Sequence, residues 1–409
     1  MADPRPQSRR NFLRAAFGAA ASVPLLALTG LPGSAAPAVI SNGRTRGAVV
    51  SNGANTAASV LPMTFVNNTG QYANSAIWMY VVGSNSSGQQ AYVTADGTLT
   101  PVTPSLNGPS GYADLSIPFA AGGNTTLNLP TMSGRIYFSI NDKLQFKVVT
   151  DGNGNSALQY PAGWVSSDAS YSVLHDWIEF TFINGMYCNT TMVDMFSIPL
   201  AIELNGTSQQ TTGTLVAGGR DAIFSGIAAQ SDFGQLVLGN GLRVLAPGHG
   251  IDAGLFSSTY FDSYVDQVWS NYASNSLNVT INSTTYAGQV SGDSLVFTNG
   301  GGTFARPTTS DIFYCAGALA PPAGNAGPVA ADLGAAFNRS TLLSDSNQPD
   351  TNPADFYQNS VTNHYSRIIH ENTVDGKAYG FPFDDVGSFA SYVQDGSPTS
   401  MTVTLTPFS

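Results

Sequence analysis

From Leu61 onward, hydrophobic and polar residues alternate in short runs broken by Gly, Pro and Asn, at 63–67, 76–82, 90–94, 134–140 and 144–149. A period of two places successive side chains on opposite faces of an extended chain, so each run predicts a strand. Many such strands at close spacing predict a sandwich or barrel. Residues 211–216 and 222–225 keep the same style and are expected to be strands. After about residue 250 the period changes. Phe261, Tyr264, Val265, Val268, Trp269 and Tyr272 recur at helical spacing and form one apolar stripe, with Ser257 or Ser258 available as a cap. Strands are expected at 278–282 and 294–299, and helices at 332–343 and 354–369, the second opened by Asn352-Pro353. The Ala/Gly/Pro-rich stretch 316–330 is expected to be loop, and 401–408 a closing strand. The fold class is therefore mainly β with an α+β second part: residues 59–225 form the β part, and 226–409 a mixed α/β part whose last strand can return to it.

The stretch 176–204 combines this alternation with polar groups that have no structural need to be there. Trp177, Glu179 and Thr181 share one face, opposite the apolar Ile178, Phe180 and Phe182. Asn184-Gly185 is a hairpin signal. Read as a two-residue turn, it sets Ile183 opposite Met186, Glu179 opposite Thr190 and Asp194 opposite His175. Glu179 and Asp194 then face the same side with about 13 Å between their Cα positions at 3.3 Å per residue, a gap that leaning side chains, sheet curvature or a different register can close. Asp194 is an isolated acid within Met192-Val193-Asp194-Met195-Phe196, a costly place for a carboxylate without a partner or a purpose. Glutamate occurs only at 179, 203 and 371. Glu203 alternates with Ile202 and Leu204 as a solvent-facing strand residue; Glu371 and Asp384-Asp385 are read as structural residues or minor groove contacts.

Charge and composition narrow the partners. Only 10% of the 409 residues are charged, and the net charge is −11. Without residues 1–38, which hold four arginines and one aspartate, it is about −14. An acidic chain with lysine only at 143, 147 and 377 is a poor match for nucleic acid or anionic membrane. Abundant Gly, Ser, Thr and Asn instead suit a surface that meets neutral, polyhydroxylated ligands. Residues 1–38 read as a twin-arginine signal peptide: Ser8-Arg9-Arg10-Asn11-Phe12-Leu13-Arg14, an apolar run, then the small residues 33–38. Residues 39–58 read as a linker. Export by this route places the protein outside the cytoplasm, periplasmic or extracellular, with no membrane partner after cleavage, and a monomer is expected.

Cys188 and Cys315 can form one disulfide or remain two buried thiols, and the sequence leaves both open. His175, His249, His364 and His370 show no metal-ligand spacing and read as core or surface histidines; no metal or cofactor is called for. Gly248-His249-Gly250 reads as a loop. A serine hydrolase would need a GxSxG elbow, which is absent from the sequence, as is a P-loop.

Several blocks in order resemble the β-1,3-glucanases of glycoside hydrolase family 64, the thaumatin-like, laminaripentaose-producing enzymes. They are Gly134-Arg135-Ile136-Tyr137-Phe138-Ser139-Ile140, Trp177-Ile178-Glu179-Phe180-Thr181, Met192-Val193-Asp194 leading to Pro199-Leu200, Tyr260-Phe261-Asp262, Ile369-His370-Glu371-Asn372, and Asp375 through Asp385. The resemblance implies a thaumatin-like β-barrel or sandwich joined to a mixed α/β part, flanking a wide groove for a β-1,3-glucan chain. It implies an inverting reaction with Glu179 as acid and Asp194 as base, releasing short laminarioligosaccharides such as the pentaose. On Glu179's face, Trp177 is expected to stack on a sugar and Thr181 to hydrogen-bond substrate or carboxylate. The alternatives are a non-catalytic glucan-binding thaumatin-like protein and a glycosidase for another β-glucan or chitin.

Overall fold

In the computed structural model, which describes residues 60–409, two sheets close over one apolar core. The larger has eight strands and centres on Met132–Ile140, with Ile77–Ser84 on one side and the acid-bearing strand Leu174–Phe182 on the other. Met186–Thr190 and then Tyr392–Asp395 extend it beyond the acid strand. The smaller sheet has five strands, in which the C-terminal strand Ser400–Leu405 lies parallel to Val60–Asn67 and antiparallel to Leu200–Asn205. Alternation dictates the packing. Ile136, Phe138, Ile178, Phe180 and Phe182 point at Phe65, Leu129, Ile202, Met401 and Val403 of the facing sheet, all buried. Burying each such side chain contributes about 1.5–3 kcal/mol.

The opposite face of the large sheet is also covered. Tyr80, Tyr137 and Trp177 join a second core made largely by the chain after Met192. That region carries six helices: α1 (Gly219–Ala228), α2 (Pro247–Asp252), α3 (Asp262–Tyr272), α4 (Thr309–Tyr314), α5 (Ala326–Arg339) and α6 (His364–Glu371). A further five-stranded sheet includes Leu277–Ile281 and Ser294–Phe297. The molecule is thus mainly β with helices gathered in its second half. The signal-peptide and linker expectations, 1–38 and 39–58, lie outside the described residues.

Several local expectations are corrected. The stripe 261–272 is α3, buried along Tyr264, Val265, Val268, Trp269 and Tyr272, but the helix starts at Asp262 and no serine caps it. Residues 222–225 belong to α1 rather than to a strand. The expected loop 316–330 runs into α5, whose small residues are buried on nearly every side; Gly334 packs where a Cβ would lie 2.8 Å from Cys315 Sγ. Composition pointed to loop, but a helix inside a core needs small side chains wherever neighbours come close. The helix expected over 354–369 shrinks to α6, preceded by a 3-10 turn at Pro353–Asp355. The disulfide alternative is not realised. Cys188 lies between the two sheets, whereas Cys315 ends α4 and donates to Pro382 O at 3.0 Å; both are free, buried thiols.

Candidate active site

The hairpin that carries Glu179 differs from its expected register by one residue. Phe182 pairs with Met186, so Ile183-Asn184-Gly185 is a three-residue loop, closed by Gly185 at φ +118°. A Cβ at Gly185 would also meet Asp395 O at 2.6 Å. Glu179 therefore faces Asn189 on one neighbour and Arg135 on the other. The strand ends at Thr190, and the chain then leaves the ladder. Met192 N–H donates to Tyr379 O at 2.8 Å, Ala246 N–H donates to Asp194 O at 3.0 Å, and Met195–Phe196 pairs with Leu245 and Val244. Asp194 is consequently not opposite His175. Its departure from the sheet brings it over the same arginine that holds Glu179.

Arg135 is the hub of the site. Its Nη2 lies 2.9 Å from Glu179 Oε1 and 3.6 Å from Asp194 Oδ2. Nε donates to Glu179 Oε1 at 3.0 Å and Nη1 to Tyr137 OH at 2.9 Å. Two oxygens held at those distances from one nitrogen are at most about 6.5 Å apart. That bound reaches the lower end of the separation of inverting pairs, about 6.5–9.5 Å, and also admits that of retaining ones, about 5–5.5 Å. The ladder register read from sequence puts about 13 Å between the two Cα positions and leaves the carboxyl separation open.

Burial sets the electrostatics. Glu179 is 8% and Asp194 3% exposed. Desolvation is the largest influence on Glu179 and pushes its carboxyl above the usual range; Arg135 opposes this, and the negative charge of Asp194 adds to it. Glu179 is thus harder to ionise than an ordinary glutamate, the direction a general acid requires. Arg135 remains a cation: burial works against its charge, but Tyr137, Glu179 and Asp194 together raise its basicity.

Trp177 does not offer the sugar-stacking surface expected of it. It is 1% exposed, packed on Tyr137 with ring centroids 5.2 Å apart, and the Arg135 guanidinium carbon lies 4.9 Å from its ring centre. The period-two pattern assigned its face correctly, but that face is covered by the chain after Met192. The indole supports Arg135 instead. Thr181 lies near the end of the same strand, half-buried, with its hydroxyl 2.8 Å from Ser133 Oγ.

Four other acids lie in different settings. Glu203 is on the five-stranded sheet, beside Asn205. Glu371 is exposed and pairs with Arg367 at 2.7 Å. Asp384 is fully buried; it accepts from Arg339 at 3.1 Å and from His370 at 2.9 Å, and this holds its carboxyl below the usual range despite desolvation. Beside it, burial pushes Asp385 up to about 6.

Two residues of the site escaped the sequence reading. Arg135 appeared only within a resemblance block, yet a lone arginine in an otherwise apolar strand signals a buried carboxylate partner. His249 was read as an ordinary histidine in a loop. It lies in α2, its Nε2 2.8 Å from Asp194 Oδ1 and its ring stacked on Trp164 at 4.3 Å. The flanking glycines were its available signal.

Comparison with known proteins decides the family. The family model described as β-1,3-glucanase, glycoside hydrolase family 64, matches residues 59–405. The chain belongs to that family. It is 34% identical over 422 residues to a glucan endo-1,3-β-glucosidase of Arthrobacter sp. (strain YCWD3), spanning 98% of this chain and 72% of the relative. It also resembles the crystal structure of a laminaripentaose-producing β-1,3-glucanase in complex with laminaritetraose (38% identity, TM-score 0.79), covering 86% of this chain and 99% of that one. A family 64 β-1,3-glucanase domain from Clostridium beijerinckii matches at 28% identity and a TM-score of 0.74, over 85% and 98% of the two chains. The protein is accordingly an endo-β-1,3-glucanase, a glycosidase, and the paired acids on Arg135 are its candidate active site.

Proposed function

We propose that this family 64 enzyme is exported by the twin-arginine route, acts as a monomer on laminarin- or curdlan-type β-1,3-glucan, and cleaves it with inversion. Glu179 protonates the departing glycosidic oxygen, while Asp194 takes a proton from the water that attacks the anomeric carbon from the opposite side. The supporting observation is the sharing of Arg135 Nη2 by the two carboxylates, which holds both acids at one centre. The desolvation that raises the Glu179 carboxyl supports Glu179 as the acid of the pair. Thr181, two residues along the same face, contacts substrate. The two-sheet β part takes the role of a thaumatin-like unit, and the mixed α/β part forms the other wall of a glucan groove.

Similarity to a laminaripentaose-producing enzyme supports short laminarioligosaccharides, the pentaose prominent, as products. The test is incubation of the exported chain with laminarin and with curdlan, followed by chromatography of the products. A dominant pentaose is expected. A broad ladder without it would refute the product assignment. Binding without any product would show a glucan-binding protein in place of an enzyme.

A further inference from the structure

A chain of hydrogen-bonded titratable groups runs from Asp194 to the surface. Asp194 Oδ1 lies 2.8 Å from His249 Nε2, and His249 Nδ1 lies 3.1 Å from Tyr314 OH. Tyr314 OH donates to Asp252 Oδ2 at 2.6 Å. His249 is 2% exposed, whereas the Asp252 side chain is 58% exposed. The ring is fixed on its face by Trp164, stacked within 18° of parallel.

Counting donors assigns the protons. A phenol has a single hydrogen, and that of Tyr314 goes to the carboxylate of Asp252. The phenol oxygen therefore accepts from His249, so Nδ1 bears a hydrogen. Nε2 faces a carboxylate oxygen, and with Asp194 ionised this contact is a hydrogen bond only if Nε2 bears one too. Both ring nitrogens then face acceptors, Nε2 towards Asp194 and Nδ1 towards Tyr314. Asp252 Oδ2, 3.9 Å from Nδ1, adds a second negative neighbour.

We infer that His249 is a positioning residue for the general base: its ring, held by Tyr314, Asp252 and the face of Trp164, anchors Asp194 Oδ1 and turns Oδ2 toward Arg135 and the reacting water. This rests on the reading of Asp194 as base. The other titratable and charged groups around the pair are Arg135 and Tyr137 from the central strand, Glu179 from the acid strand, and Tyr365 from α6, which donates to Met192 O at 2.6 Å.

The local sequence is built for this contact. A Cβ at Gly248 would lie 2.6 Å from the Tyr314 ring, so glycine there lets α2 and α4 approach closely enough for the ring and the phenol to meet.

The test compares His249→Gln, which keeps an amide donor for Asp194 but not the ring, with Tyr314→Phe, which keeps the ring but offers Nδ1 no acceptor. For each, kcat, KM and the pH profile of kcat/KM on laminarin are measured beside the melting temperature. His249→Gln is expected to lower kcat by about 10- to 100-fold, less than loss of the base itself. KM should stay within about twofold. The acid limb of the profile should move to higher pH, because the ring that anchors Asp194 Oδ1 is gone. Tyr314→Phe should shift the limb the same way by less. Unmoved limbs and full kcat in both variants, with Asp194→Asn inactive, would overturn the positioning role and leave the base assignment standing. An active Asp194→Asn would overturn the base assignment itself. If His249→Gln does not fold, Tyr314→Phe decides: an unmoved limb refutes the inference.

Discussion

Glu179→Gln is expected to bind β-1,3-glucan normally and to turn it over about 10²–10⁴-fold more slowly, the usual contribution of a general acid. The amide keeps the shape of the carboxyl and a hydrogen-bond acceptor for Arg135, so folding survives; Arg135 retains Asp194 as its charged partner. The loss should depend on the leaving group. A laminarioligosaccharide bearing an activated aryl aglycone departs without protonation, so Glu179→Gln should recover much of its rate on that substrate. The pH dependence has a definite sign. Burial raises the Glu179 carboxyl above its ordinary value, and catalysis needs the protonated form. The kcat/KM of the wild-type enzyme should therefore fall as pH rises through that raised value, and this basic limb should be absent from the variant assayed with the aryl substrate. Near-normal turnover of laminarin by Glu179→Gln would remove Glu179 from the role of acid.

Asp194→Gly should be comparably inactive on every substrate, because an activated aglycone does not supply the missing base. The glycine leaves room beside Arg135 Nη2, a site already built to hold a negative oxygen. Azide at high concentration should enter it and attack the anomeric carbon in place of water. The expected product is the α-glycosyl azide, formed from the face that Asp194 occupies. Product analysis by mass spectrometry and NMR checks this. A β-azide, formed with net retention, would place Asp194 on the leaving-group side of a double displacement and contradict its role as inverting base.

The sequence made some of this centre legible because strands announce their faces. Alternation around Ile178, Phe180 and Phe182 identified the core side, so Glu179 was singled out with the correct orientation. The helical stripe at 261–272 was equally plain, since its large side chains have no competing period. Asp194 was found for a different reason, the cost of an acid in an apolar run. Its distance from Glu179 was not legible. That depends on a three-residue loop closed by Gly185 and on the exit of the chain after Thr190, both settled by contacts with Asp395 and Tyr379, far away in sequence. Trp177 shows the same limit. A period reports which side of a sheet a residue occupies, but a second layer can bury either side. Arg135 and His249 were missed because their partners are 44 and 55 residues away.

The most direct test of the paired-acid mechanism is the anomeric form of the first products. Wild-type enzyme is mixed with laminarin in the NMR tube, and the reducing-end signals are followed from the first minutes, before mutarotation equilibrates them. A single displacement by water, drawn in by Asp194 as Glu179 protonates the leaving oxygen, releases α-anomers first, with β-anomers growing in later. Initial release of β-anomers would mean a double displacement with a covalent intermediate, and would contradict the roles assigned to both acids.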